Sequence, residues 1–218
     1  MLLGKLQSLL GHVNDAAVTH DVCDFLITDR RDLSRWHAAS AAAGLPEALL
    51  VAERDGVLEL ALFLDPALLA RLAASAPLRR LDDDNLEDFC TALEGVSHFN
   101  CVAWRAARGW PVSVLGLEMQ AEIDKYAIAV LLAGSQRGGT LVRGLHARLF
   151  ERVRFREGLP ASGRELYAAA NRYAARFCRR LEDRFLRPRR ARVLEMLAEL
   201  RRFYRLGDTG KLRCIEAV

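Results

Sequence analysis

Two apolar runs that alternate with polar residues give the clearest local signal in the chain. Residues 48–64 read ALLVAERDGVLELALFL, with Asp55-Gly56 at the centre. Asp and Gly both tolerate the positive φ angles of a two-residue type I′ turn, so this pattern predicts a β-hairpin. The turn also sets the register, which pairs Val51 with Leu60 and Leu49 with Leu62.

A second strand-like stretch occupies residues 96–105, VSHFNCVAWR. It is rich in Val, Phe and Trp and shows no helical stripe of apolar positions, which favours a strand. Gly95 then ends the preceding helix, since glycine is common just after a helix C-terminus. On this strand, His98 and Asn100 lie on one face because alternate residues point the same way.

Helical signals dominate the remainder of the chain. Pro66, the acidic run 82–84 and Ser113 each precede a helical pattern, and two longer patterns cover residues 164–186 and 189–206. We therefore expect an α+β fold. Its small antiparallel sheet comprises the hairpin 48–64 and a strand near 97–105, and it packs with a mostly helical C-terminal half.

Charge divides the chain into two parts. Residues 1–100 carry 8 Lys and Arg against 16 Asp and Glu, whereas residues 101–218 carry 24 against 12. This asymmetry suggests an acidic α+β part, 1–134, and a basic helical part, 135–218, joined by the glycine-rich segment 134–139. A single domain, 1–218, is the alternative.

The basic residues form a face on the predicted helix 164–186. At about 100° per residue, Arg172, Arg176, Arg179 and Arg180 fall opposite an apolar arc. Guanidinium groups bind phosphates and carboxylates through paired hydrogen bonds. The sequence therefore favours a binding or adaptor protein that engages an anionic partner, either an acidic protein surface or nucleic-acid phosphate, without sequence-specific readout.

The same arginine pattern has two other interpretations. The face is solvated or docked on the acidic half of the chain, because runs of charge are usually solvated surface. Alternatively, the acidic and basic halves pair across a homodimer.

An enzyme is the alternative function. His98 and Asp124 are then candidates for acid–base catalysis, and His98, Glu118 and Glu122 for metal ligands of a hydrolase. Their spacing matches no HExxH-type motif, so a structural polar network that fixes strand against helix is the favoured interpretation. No sequence motif calls for a cofactor.

Composition and cysteine content indicate where in the cell the protein is located. It has 218 residues, 51% of them hydrophobic, and no apolar run approaches the length of a membrane span. Its 5 cysteines are odd in number and include no CxxC pair, which argues against a disulfide framework. We therefore expect a cytoplasmic protein with no membrane partner.

Overall fold

The computed structural model describes residues 1–36, 44–139, 144–151, 161–188 and 191–217. The chain forms two compact units: the first unit contains residues 1–11 and 17–111, and the second unit contains residues 12–16 and 112–218. Helix α1, Leu2–Asn14, contributes residues to both. The predicted α+β class is confirmed, with a small sheet in the first unit and helices in the second.

The predicted hairpin is confirmed in position and register. Strands β2, Glu47–Arg54, and β3, Val57–Leu64, are antiparallel, and Val51 lies opposite Leu60. Asp55 and Gly56 adopt φ angles of 51° and 75°, which is the turn geometry that the Asp-Gly pair predicts. A two-residue strand β1, Leu26–Ile27, pairs in parallel with β3, so the sheet is mixed and has the order β1-β3-β2.

Both faces of the central strand β3 are buried over its second half, residues 61–64. Ala61 and Phe63 pack with Leu33 of the short 3₁₀ helix Arg30–Arg35. Leu62 lies on the opposite face and is fully buried. Helix α2, Pro66–Ser75, follows β3 directly, and the Asp65 side chain caps it by accepting a hydrogen bond of 2.9 Å from the backbone N–H of Ala67.

The predicted strand near 97–105 is wrong, because these residues belong to helix α3, Leu86–Ala106. This helix packs against β2 and β3, and 14 of its 21 residues are buried. A helix buried on nearly every side leaves no polar stripe, so its periodicity is hidden from the sequence pattern. Gly95 accordingly lies inside α3 rather than at the end of a helix.

The second unit is built from helices. They are α4, Val114–Gln136; α5, Leu145–Phe150; α6, Ala161–Leu181; α7, Val193–Tyr204; and α8, Asp208–Glu216. A π-helical turn, Glu182–Leu186, extends α6. Helix α4 packs along α6, and the Phe177 ring stacks on that of Phe203 with centroids 4.1 Å apart.

Three sequence expectations concern this unit. Ser113 caps α4 as predicted, since its hydroxyl accepts a hydrogen bond of 2.9 Å from the backbone N–H of Gly116. The predicted domain boundary, 134–139, begins within the last turn of α4 and lies inside the second unit. The division into domains at this segment stays a prediction. Residues 189–190, where we expected the next helix to begin, lie outside the described residues.

None of the helices in the described ranges combines the length and hydropathy that a membrane span requires.

Candidate functional site

The four predicted arginines of α6 divide into two pairs. Arg172 and Arg176 are exposed, lie one helical turn apart and form no ion pair with any residue that the structure describes. Arg179 and Arg180 are only partly exposed and make contacts within the second unit. Arg180 donates a hydrogen bond of 2.6 Å to the backbone carbonyl of Cys214.

The contacts of Arg179 indicate a structural role. Its guanidinium lies 2.9 Å from Nδ1 of His146, and Nε2 of that ring lies 2.9 Å from the carbonyl oxygen of Ala175. Because the arginine can only donate, Nδ1 accepts and Nε2 carries the proton. Arg179 also contacts Glu151 at 3.4 Å. It therefore connects α5 to α6 and is less available to an external partner than Arg172 and Arg176.

The predicted enzymatic residues occupy different units. His98 is buried on α3 of the first unit, whereas Glu118, Glu122 and Asp124 lie on α4 of the second. Glu122 accepts a hydrogen bond of 2.8 Å from Lys125, three residues further along the helix. This contact gives Glu122 an ion-pair role within α4.

Asp124 belongs to a buried hydrogen-bond network. Its Oδ1 accepts bonds of 3.0 Å from Asn14 and 2.9 Å from Gln120, and Gln120 in turn accepts one of 2.8 Å from Lys211. All four residues are at most 2% exposed. Such a network satisfies polar groups that would otherwise be costly to bury. The sequence did not predict the contact of Lys211 with Gln120, because the two residues are 91 positions apart.

A second polar cluster surrounds Glu182 at the start of the π-helical turn. Its carboxylate accepts hydrogen bonds of 2.8 Å from the Tyr126 hydroxyl and 2.9 Å from Arg187. Burial by itself raises the pKa of Glu182, but the Tyr126 and Arg187 hydrogen bonds and the Arg charges outweigh it and lower this pKa below 4.5. Burial, together with the bond to Glu182, raises the pKa of Tyr126. Tyr126 is therefore a neutral donor.

The carboxylate and imidazole groups of α3 form the candidate site. Glu94 and His98 are one helical turn apart on the same face, and a carboxylate oxygen of Glu94 and a ring nitrogen of His98 come within 4.8 Å of each other. His98 is 6% exposed and Glu94 is partly buried. Carboxylate oxygen and imidazole nitrogen are donor types that bind divalent transition metals such as Zn²⁺ or Mn²⁺.

Strand β2 adds a second carboxylate to these two residues. Glu47 Oε1 lies 3.8 Å from Nδ1 of His98, and the Glu47 side chain is 12% exposed. Gly95 makes room for it, because a Cβ atom at that position would lie 2.8 Å from both Cγ and Oε1 of Glu47. We did not select Glu47 or Gly95, since the misassigned strand concealed the helical relation of Glu94 and His98 and the contact with β2 is distant in sequence.

No known protein family, curated protein or solved structure matches this chain.

Proposed function

We propose that this protein is a metal-dependent hydrolase whose divalent cation is bound by Glu94 and His98. The observation that carries the proposal is the pairing of a carboxylate and an imidazole within 4.8 Å on one buried helix face. Helix α3 is held on the sheet, which gives both donors a rigid support.

The chemistry follows from the donor set. A divalent cation bound by one imidazole and one carboxylate retains coordination positions for water or substrate, and it supplies Lewis acidity for hydrolysis. His98 holds the cation through one ring nitrogen, and Glu94 contributes charge. The sequence-based assignment of Glu118 and Glu122 as ligands stays a prediction, since both residues belong to the second unit.

Metal binding tests this proposal directly. We expect purified protein to contain a transition metal by elemental analysis, and chelated protein to rebind about one Zn²⁺ or Mn²⁺ in calorimetry. Glu94→Gln and His98→Ala should each weaken binding at least tenfold. Glu87→Gln removes an exposed carboxylate from the same helix and is the matched control. Absence of metal and of rebinding by the wild-type protein would contradict the proposal.

A second candidate function, binding of an anionic macromolecule, is supported by Arg172 and Arg176. Two like charges one turn apart disfavour a helix by about 0.2–0.5 kcal/mol, and no described acidic residue compensates these two. The second unit carries 22 Lys and Arg against 13 Asp and Glu. Nucleic-acid phosphate or an acidic protein surface would offset this excess.

Binding of generic DNA and RNA across a salt series measures this function. We expect affinity to fall steeply with salt, and the double variant Arg172→Glu/Arg176→Glu to lower the slope of log K against log salt by about 2. The control Arg137→Glu/Arg213→Glu makes the same charge change at two other exposed positions of the second unit. Equal effects of the two double variants would show that net charge, rather than this pair, drives binding.

Self-association through charge is a further form of this binding, as the predicted homodimer implies. Sedimentation at low and high salt would detect it, since an electrostatic dimer dissociates as salt rises. We also propose a cytoplasmic setting, which the five free thiols support.

A further inference from the structure

The two residues that precede Glu47 are held by hydrogen bonds. Immediately before it, the carbonyl of Leu45 accepts a hydrogen bond of 2.9 Å from Arg30, and that of Pro46 accepts one of 2.8 Å from the backbone N–H of Asp65. Arg30 and Asp65 also form an ion pair at 2.7 Å. The segment that leads into β2 is therefore fixed to the residue that caps α2.

The side chain of Glu47 packs against Gly95, where a residue with a Cβ atom would be too close to it. Position 95 is in the interior of α3, where glycine costs about 1 kcal/mol relative to alanine. Any Cβ there would come within 2.8 Å of Glu47 and 2.7 Å of Leu62 Cδ1. Contacts below about 3.0 Å do not persist, so a side chain at position 95 would force Glu47, Leu62 or both to shift.

The two ring nitrogens of His98 have different surroundings. Nδ1 lies 3.8 Å from the Glu47 carboxylate, and both side chains are nearly buried, at 7% and 12% exposed. A histidine that binds a metal through one nitrogen commonly donates the other N–H to a carboxylate, which fixes the tautomer and increases the basicity of the ligand. Hydrogen bonds of this kind are often long before the site is loaded and shorten afterwards.

We propose that Glu47 is a positioning residue whose carboxylate accepts the Nδ1–H of His98 and thereby directs Nε2 to the cation. This inference rests on the proposed function, because it assigns a role within the same site. Glu94 is then the carboxylate that contacts the cation, whereas Glu47 acts through His98. The two glutamates therefore differ in the consequences of their removal.

Nitrogen-15 NMR of the histidine side chains reports the tautomer without any metal. We expect the metal-free protein to show His98 protonated at Nδ1, and Glu47→Ala to lose this preference. Glu47→Gln should restore it in part, since the amide oxygen can also accept the N–H. Glu53→Ala removes an exposed carboxylate from the same strand and should leave the His98 signals unchanged.

Zinc affinity gives the second measurement. Removal of a carboxylate that orients a ligating histidine typically weakens metal binding about 10–100-fold. We therefore expect Glu47→Ala to weaken Zn²⁺ binding by this factor at unchanged stoichiometry, with partial recovery in Glu47→Gln. Thermal unfolding and the hairpin NMR signals of each variant establish that the fold is intact.

The outcomes separate the two proposals. An identical His98 tautomer in wild type and Glu47→Ala would overturn the positioning role, whatever the metal affinity. Equal losses of zinc stoichiometry in Glu47→Gln and Glu94→Gln would also overturn it, because Glu47 would then be a direct ligand. Failure of the wild-type protein to bind any metal would contradict the proposed function, while the tautomer would still decide the role of Glu47.

Discussion

At the scale of single residues, Gly95 determines which groups can meet on α3. Its lack of a side chain allows the Glu47 carboxylate and Leu62 to lie against the helix backbone. A glycine in a helix interior is ordinarily unfavourable, so its presence indicates that a close approach is needed there. The carboxylate–imidazole geometry around His98 thus depends on a residue that has no side chain.

Substitution of Gly95 by alanine tests this dependence. We expect Gly95→Ala to lower the free energy of unfolding by about 1–3 kcal/mol, because the added methyl group overpacks against Glu47 and Leu62. Chemical denaturation measures the change. The control Gly4→Ala adds a methyl group to α1 at an ordinary 4.0 Å from Cys23 Sγ and should stabilise the protein by up to about 1 kcal/mol.

A double-mutant cycle identifies the source of the Gly95 effect. Glu47→Ala removes two of the three closest contacts to the added methyl group, so Gly95→Ala should cost less in that background. An equal cost in both backgrounds would show that Leu62 alone opposes the methyl group and that Glu47 does not depend on the glycine.

At the scale of elements, sequence prediction succeeded where the signal is local. The hairpin depends on Asp55-Gly56 and on the alternation beside it, and both its position and its register were predicted. The N-cap Ser113 is equally local. The first part of α3 was predicted as a helix, but its continuation beyond Gly95 was predicted as a strand, because burial on most sides removes the polar face by which a helix is recognised. That error hid the pairing of Glu94 with His98.

Polar and charged contacts stabilise the C-terminal end of helix α6, where the π-helical extension begins. Glu182 begins the extension and accepts hydrogen bonds from Tyr126 of α4 and from Arg187. The predicted apolar arc of α6 is confirmed by the burial of Ala170, Ala174 and Phe177. The periodicity does not reveal that Arg179 and Arg180 are bound to their own unit, because their partners are distant in sequence.

The lowered pKa of Glu182 predicts an acid dependence of stability. Folding lowers the pKa of this carboxyl group below its ordinary value of 4.5. The stabilisation is therefore complete above the ordinary pKa and is lost as pH falls through the pKa of the folded state. We expect the free energy of unfolding to decline less steeply in Glu182→Gln than in wild type below about pH 5. Tyr126→Phe removes one of the two bonds and should give an intermediate slope. Identical slopes in all three proteins would contradict the role of this carboxylate.

At the scale of the whole molecule, the charge asymmetry of the sequence follows the two units. The first unit carries 10 Lys and Arg against 15 Asp and Glu, and the second carries 22 against 13. The asymmetry was visible in the sequence, but the division of the chain was not. Residues 12–16 join the second unit although residues 17–111 belong to the first, and only long-range contacts reveal this arrangement.

The short segment 12–16 anchors the second unit through its polar groups. Arg201 donates a hydrogen bond of 3.0 Å to the carbonyl of His12, and Arg205 donates one of 2.8 Å to that of Asp15. Asn14 is 2% exposed and donates to Asp124. A segment of five residues thus contacts α4 and α7, which explains why it belongs to the unit whose remaining residues begin at 112.

Removal of the Asn14 amide should therefore weaken the second unit in particular. Asn14→Ala deprives the buried Asp124 carboxylate of one donor, which we expect to cost about 1–3 kcal/mol. Hydrogen exchange resolved by segment should show lost protection in α4 and α7, with a smaller change in β2 and β3, since local stability follows local contacts. Ser8→Ala, at an exposed position of the same helix α1, should change stability by less than about 0.5 kcal/mol. A uniform loss of protection across both units would instead mean that Asn14 stabilises the chain as a single cooperative structure.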